Sequence, residues 1–168
     1  MAYITESGNT ISFADYQDVF NRDQRLFDSN ESLTDDVVEN LLIRATERII
    51  TKIRSSSWWQ TYYLQRYTGT ITSRADIPAP DINKIISREN DFTDLCVYLA
   101  LADFILPLVA DFGNEDSSER KKMGYYTQKA DALFGELITA GDWYDFDDDS
   151  VVESFEKEPG RYNLKRVR

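Results

Sequence analysis

The chain has 168 residues, 42% of them apolar, and carries a net charge of −11 without a single histidine. Its length and apolar share suit one domain with a real core and exclude global disorder. The missing histidine removes the commonest general base and nitrogen metal ligand, and the negative charge opposes stable wrapping of a nucleic-acid backbone.

The N-terminus "MAYITESGNT" lacks the basic and apolar regions of a signal peptide. No apolar run is read as a membrane span, so a soluble, intracellularly made protein is expected, with no membrane contact. Cys96 is alone and forms no internal disulfide. "AYITESGNTISF" predicts two short extended pieces about a turn at Gly8-Asn9. "SFADYQDVFN" predicts a short helix with Ser12 as N-cap, ending near Asn21, and "RDQRLFDSNES" a loop that tucks Leu26 and Phe27 inward.

The clearest helix is "LTDDVVENLLIRATERIITKIR". Thr34 caps it, Asp35 and Asp36 meet the positive end of its dipole, and Lys52 and Arg54 meet the negative end. Val38, Leu41, Leu42, Ala45, Ile49 and Ile53 share one face, which Ile43 and Ile50 widen. "SSSWWQTYYLQRYTG" predicts a further helix, with Trp58–Tyr62 and Trp59–Tyr63 as four-apart aromatic pairs and Gly69 beyond its end. Pro78 and Pro80 make "TGTITSRADIPAPD" a loop, and "DINKIISREN" is a short helix or single turn.

"NDFTDLCVYLALADFILPLVADFGN" predicts a helix from Asn90 to Gly113-Asn114 that is apolar nearly all round, with Asp94 and Asp103 on opposite sides. Such a helix is buried in a bundle or shared with another subunit. Pro107 should kink it, because its ring meets the Asp103 carbonyl. "NEDSSERKKMGYYTQKADALFGELITAG" predicts the last long helix, starting near Asn114 or Asp116. Met123, Tyr126, Ala130, Leu133, Phe134 and Leu137 line one face, and Gly141 suits C′. The expected fold is all-α: over residues 1–141, a helical bundle of about four principal helices with a short N-terminal extended segment or hairpin. Residues 142–168, acidic and then basic, read as an extended C-terminal arm.

Within that arm "DFDDDSVVESFE" scans like an EF-hand calcium loop, with acids at positions one, three and five, Val152 at eight and Glu156 at twelve. Ser150 replaces the glycine of position six, and neither flanking helix is expected. The expectation is therefore a solvated acidic segment whose Trp143, Tyr144 and Phe146 dock on something apolar, with no metal and no cofactor assigned. "WWQTYY" beside Arg54 and Arg66 has the composition of a base-stacking platform, but aromatics at this spacing more often build a core or a subunit contact. Trp58, Trp59, Tyr62 and Tyr63 are thus subunit-interface candidates. Asp103 joins them as a carboxylate expected to pair with an arginine across a helix or subunit contact. Cys96 reads as a small buried apolar residue. With no phosphate-cradling loop, nucleophile elbow or ligand cluster, no enzyme is expected.

Taken together, "DDVVENLLIRATERIITKIR", the apolar "FTDLCVYLALADFILPLV", one more helix and a "GDWYDFDDD" segment running to "LKRVR" resemble head–tail connector (adaptor, or neck) proteins of tailed bacteriophages. The resemblance implies a virion structural protein made in the host cytoplasm. It implies a homo-oligomeric ring, commonly of twelve subunits, below the portal of the filled head. That dodecameric ring extends the DNA channel, through which DNA passes without sequence-specific binding, and docks the adjacent neck or tail-terminator protein. It also implies that the region from Trp143 onward meets the portal protein or a neighbouring subunit. There the aromatics Trp143, Tyr144, Phe146, Phe155 and Tyr162, with Leu164, would anchor while Arg161, Lys165, Arg166 and Arg168 pair with acidic groups. From the residues alone two other classes stay open: a small acidic helical binding module or regulator, and a divalent-ion sensor using Asp145–Glu156.

Overall fold

A computed structural model describes residues 3–65, 67, 69–111, 113 and 117–158, a predominantly helical chain with one small antiparallel sheet. Ser7 and Gly8 both adopt left-handed backbone, φ 52° and 84°, and turn strand β1 (Ile4–Glu6) into β2 (Asn9–Ser12). The pairing runs from Ile4 opposite Ser12 to Glu6 opposite Asn9. Phe13, just past β2, anchors the hairpin to two helices. Its N–H donates to Thr46 Oγ1 at 3.1 Å, and its carbonyl accepts from Thr93 Oγ1 at 2.9 Å.

Helix α1 spans Tyr16–Arg22, and its cap is Asp15 rather than the expected Ser12. The Asp15 carboxylate accepts from the Asp18 N–H while Asp18 accepts from the Asp15 N–H, a reciprocal cap that the Ser12 hydroxyl, engaged with Ala14, does not offer. The expected loop that follows holds a short helix, α2 (Gln24–Asp28), which buries Leu26 as anticipated. Helix α3 (Asp35–Ser55) buries the predicted face, Val38, Leu41, Leu42, Ala45, Ile49 and Ile53, together with Thr46. The backbone extends at Ser56 and re-enters helix as α4 (Ser57–Gln65). Single 3-10 turns follow at Arg74–Asp76 and Ile82–Lys84.

The apolar helix begins as α5 (Glu89–Ala100), widens into a π turn over Leu101–Ile105 and closes as α6 (Leu106–Val109). Proline-induced distortion takes the form of this π turn, which gives the Pro107 ring room against the preceding carbonyls. The helix stops at Val109, earlier than expected, where Ala110 turns extended. Contrary to the expectation of no membrane-length run, Glu89–Val109 is by length and composition long and apolar enough to cross a membrane. In the fold it is the core helix, packed between α3 and α7 (Ser118–Ala140). Ser117 caps α7 by accepting from the Arg120 N–H, whereas the expected start residues Asn114 and Asp116 lie outside the described residues. Gly141 takes the left-handed C-cap at φ 59°, and its N–H donates to the Leu137 carbonyl.

Residues 142–158 correct the expectation of an extended arm beginning at Asp142. They fold back over α4 and the start of α5 and finish in a short helix, α8 (Ser154–Lys157). Trp143 is completely buried and belongs to the core. The reason is chemical. Three large aromatics within four residues offer too much apolar area to leave in water, and α4 presents a matching aromatic surface.

Candidate functional site

The C-terminal segment is held in place residue by residue. Ser87 Oγ donates to the Asp142 carbonyl at 2.6 Å, and Arg88 grips the Asp142 carboxylate through two nitrogens at 2.5 and 3.0 Å. That guanidinium holds the Asp142 carboxyl below the ordinary aspartate value. A short antiparallel bridge then pairs Ile85 with Tyr144: the Ile86 N–H donates to the Trp143 carbonyl and the Asp145 N–H to the Lys84 carbonyl. Tyr144 Oη accepts from the Asp81 N–H, and burial pushes its phenol above the ordinary tyrosine value.

Beneath this bridge lies a layer of aromatic rings. Trp143 packs at 4.9 Å on Trp58 and 4.8 Å on Phe92, Tyr144 meets Trp59 at 4.9 Å, and Phe146 stacks on Tyr62 at 3.7 Å. Trp143 Nε1 donates to the Leu137 carbonyl, and Trp59 Nε1 to the Pro78 carbonyl. Trp58 Nε1 donates to the carbonyls of Glu156 and Lys157, tying α8 to α4. These contacts correct several expected partner residues. Trp58, Trp59 and Tyr62 are buried by their own chain and Tyr63 is half-buried, so most of the aromatic surface of α4 is already covered. Of the two arginines in the stacking idea, Arg54 spends its guanidinium on the Ala75 and Ile77 carbonyls, and Arg66 lies outside the described residues. Trp143, Tyr144 and Phe146 face inward as well, while Phe155 keeps a partly exposed ring. Arg161, Tyr162, Leu164, Lys165, Arg166 and Arg168 lie outside the described residues.

The acidic loop rises directly from this aromatic layer; residues 147–151 are exposed, as expected of a solvated acidic segment, but Asp145 and Glu156 at its two ends are buried. Asp145 is only 2% exposed; its Oδ1 accepts from the Asp148 N–H and its Oδ2 from the Ser150 N–H, each at 2.7 Å. Asp148 and Ser150 are both left-handed, at φ 69° and 68°. Ser150 therefore takes the tight turn that glycine makes at position six of an EF-hand loop, the feature whose absence from the sequence argued against one. At the far end the Glu156 carboxylate, fully buried, accepts from the Phe146 and Glu153 N–H groups at 2.8 Å each.

One carboxylate oxygen each from Asp145, Asp147 and Asp149 lie within 4.8 Å of one another, and so do one each from Asp147, Glu153 and Glu156. Glu153 Oε2 is buried with no hydrogen-bond partner, alone in that condition among the described residues. Desolvation, then a side-chain hydrogen bond with Glu156, then the charges of Asp149 and Asp147 push the Glu153 carboxyl above the ordinary glutamate value. Among the described residues the one ion pair reaching the loop is Lys84 to Asp148, at 3.6 Å, and Asp148 is in neither group.

Other singled-out residues have quieter surroundings. Asp103 pairs with Arg48 at 3.1 Å, from the π turn to α3, the cross-helix form of the expected arginine pair. That pair and Lys52–Asp131 line a groove of about 180 Å³ between α3, the π turn and α7. Cys96 is completely buried beside Thr46, and burial raises its thiol to about 11, far from a reactive thiolate. In comparisons with known proteins no family model matches the chain, and no curated protein or solved structure matches it.

Proposed function

We propose that this chain is a structural adaptor of the head–tail connector kind, a non-enzymatic virion protein of a tailed phage. In this reading α3, α4, the α5–α6 helix and α7 are the principal helices of a bundle that repeats around a ring beneath the portal. The ring, commonly of twelve subunits in the proteins it resembles, extends the DNA channel and docks the next neck or tail protein.

The observation that carries the reading is a charge polarity along one chain. The last ten residues hold Arg161, Lys165, Arg166 and Arg168 and no acid, so the rest of the chain carries −15 against −11 for the whole. An acidic body resists adhesion to DNA moving past it, and a basic end seeks an acidic surface on a portal or on the neighbouring copy. A head-to-tail contact of that sort closes into a ring when its rotation divides a full turn. The order of elements, one long helix, one apolar helix, one further long helix and a terminal segment, supports the same assignment.

Because Trp143 belongs to the core, the test separates the folded segment from the basic end. A chain ending at Glu158 should melt like the full chain and fail to join portal-bearing heads, scored by negative-stain microscopy and co-sedimentation. Joining that survives this truncation refutes the assignment of the grip to residues 159–168, and a full chain that neither joins heads nor forms rings refutes the adaptor reading.

A further inference from the structure

We propose that the outward flank of α3 in one copy of this chain packs on the outward face of α7 in a second copy, a self-contact that does not need the connector reading. Two unlike, complementary helix faces carry the inference. On α3, Asp36, Asn40, Ile43, Glu47 and Ile50 recur at intervals of four, three, four and three, the spacing of a helix–helix seam. At about 100° per residue this stripe lies opposite the face that buries Val38, Leu42 and Ile49. Asp36, Asn40 and Glu47 are exposed. Ile43 and Ile50 are half-buried, two branched apolar side chains seven residues apart and outside the core face of their own helix.

On α7, Lys121, Tyr125, Gln128, Ala132, Gly135 and Thr139 repeat the same spacing, and all six are exposed. The N-terminal half of that face is basic. From Arg120 to Ala130 the chain has four cations and no acid, in a protein of net charge −11. Lys122 is spent on Asp23, but Arg120 and Lys129 take no ion pair among the described residues, and neither do Asp36 and Glu47 on α3. Lys129 Nζ sits instead 5.7 Å over the ring of Tyr125, itself an exposed aromatic. Further along α7, Ala132, Gly135 and Thr139 help to line a shallow groove of about 490 Å³.

Set parallel, with Asp36 opposite position 121, the two stripes answer each other. Asp36 then meets Arg120, Glu47 meets Lys129, and Ile50 enters the groove at Gly135. Apolar side chains lie along the centre and opposite charges along the rim, the usual anatomy of a protein interface. The occupant is a second copy because it brings the acids that the α7 face lacks, at matching spacing. Nucleic acid is also a polyanion, but a body of net charge −11 opposes its approach. Since the two faces differ, each copy offers α3 to one neighbour and α7 to another. Such a contact propagates, and it closes into a ring where its rotation divides a full turn.

Sedimentation velocity of the full chain, at concentrations up to about 0.2 mM, reads the association. Three variants accompany it: Arg120→Glu with Lys129→Glu, Asp36→Lys with Glu47→Lys, and all four changes in one chain. The four positions are exposed, so each variant should melt like the parent by circular dichroism. The parent should self-associate, and each pair of reversals should weaken that by at least about tenfold. Mixing the two reversed chains, or combining all four changes, should restore it to within about threefold of the parent. A chain ending at Glu158 should associate like the parent, which separates this contact from any grip by residues 159–168. A parent that stays monomeric throughout overturns the proposal, as does association that neither pair weakens or that the fourfold variant fails to recover. Loss of association in the chain ending at Glu158 assigns the contact to the basic end and overturns it equally. So does a monomeric parent that binds random-sequence duplex DNA through Arg120 and Lys129, which gives the α7 face to a nucleic acid.

Discussion

Replacing Trp143 with alanine asks directly whether the C-terminal segment is core or appendage. The indole is fully buried, wedged between Trp58 and Phe92 at 4.9 and 4.8 Å, and its Nε1 donates to the Leu137 carbonyl. Truncating a buried tryptophan costs about 3–5 kcal/mol, from lost apolar transfer plus the cavity left behind. The lost hydrogen bond adds little, because the Leu137 carbonyl still accepts from the Gly141 N–H. Against a typical total stability of about 5–15 kcal/mol the variant should be visibly weakened. Its melting temperature should fall by roughly 6–20 °C, at 2–4 °C per kcal/mol for a chain of this size. Urea unfolding followed by tryptophan fluorescence and far-ultraviolet circular dichroism measures both. A loss below about 1 kcal/mol, with near-parental melting, would mean that the indole leaves the core at little cost, and the account of 142–158 as folded structure would be wrong.

Four further outcomes follow from the same contacts. Gly141→Ala should lose about 2–4 kcal/mol in the same urea assay. It forces a left-handed alanine, and its Cβ would stand 2.5 Å from the Lys157 carbonyl and 2.8 Å from Trp58 Nε1. Gly135→Ala, in α7 with nothing near its added carbon, should instead gain about 0.5–1 kcal/mol. Lys122→Ala strips the nearly buried Asp23 carboxylate of a partner at 2.5 Å and should cost about 1–3 kcal/mol, the lower part of that range if water reaches the vacated space. Glu153 has its folded pKa raised above the ordinary 4.5, so the folded state takes up its proton first. Its contribution should raise stability as pH falls through the folded pKa towards 4.5, a gain that Glu153→Gln abolishes in melts run across that range.

Local signals in the chain predict local structure well. The hairpin, the apolar face of α3 and the C-cap at Gly141 depend on neighbours a few residues away; the last two stand as read, and the turn lies one residue earlier than expected, at Ser7-Gly8 rather than Gly8-Asn9. The cap of α1 differs because two aspartates satisfy each other better than one serine, a contest decided by geometry rather than residue type. The acidic segment departs from expectation for a different reason. Counting charges treats each carboxylate as a group that wants water, but Asp145 receives two backbone N–H groups from the turn it creates and is held down by the aromatics beside it. The signal is present in "DWYDF", where three rings in four residues contradict a solvated arm. Where they dock depends on α4, about 85 residues earlier, and no periodicity reports that contact.

The folded position of this segment changes what a deletion experiment means. A chain cut after Gly141 loses Trp143 from the core, the Arg88–Asp142 clamp and both carbonyls that receive Trp58 Nε1. It would expose Trp58, Trp59 and Tyr62 together, and a chain with so large an apolar patch fails to bind partners simply by aggregating. Loss of assembly after that cut would therefore be uninformative about any grip. With the boundary moved to Glu158, the scaffold retains its cover and its acidic loop, so loss of assembly then reports on residues 159–168.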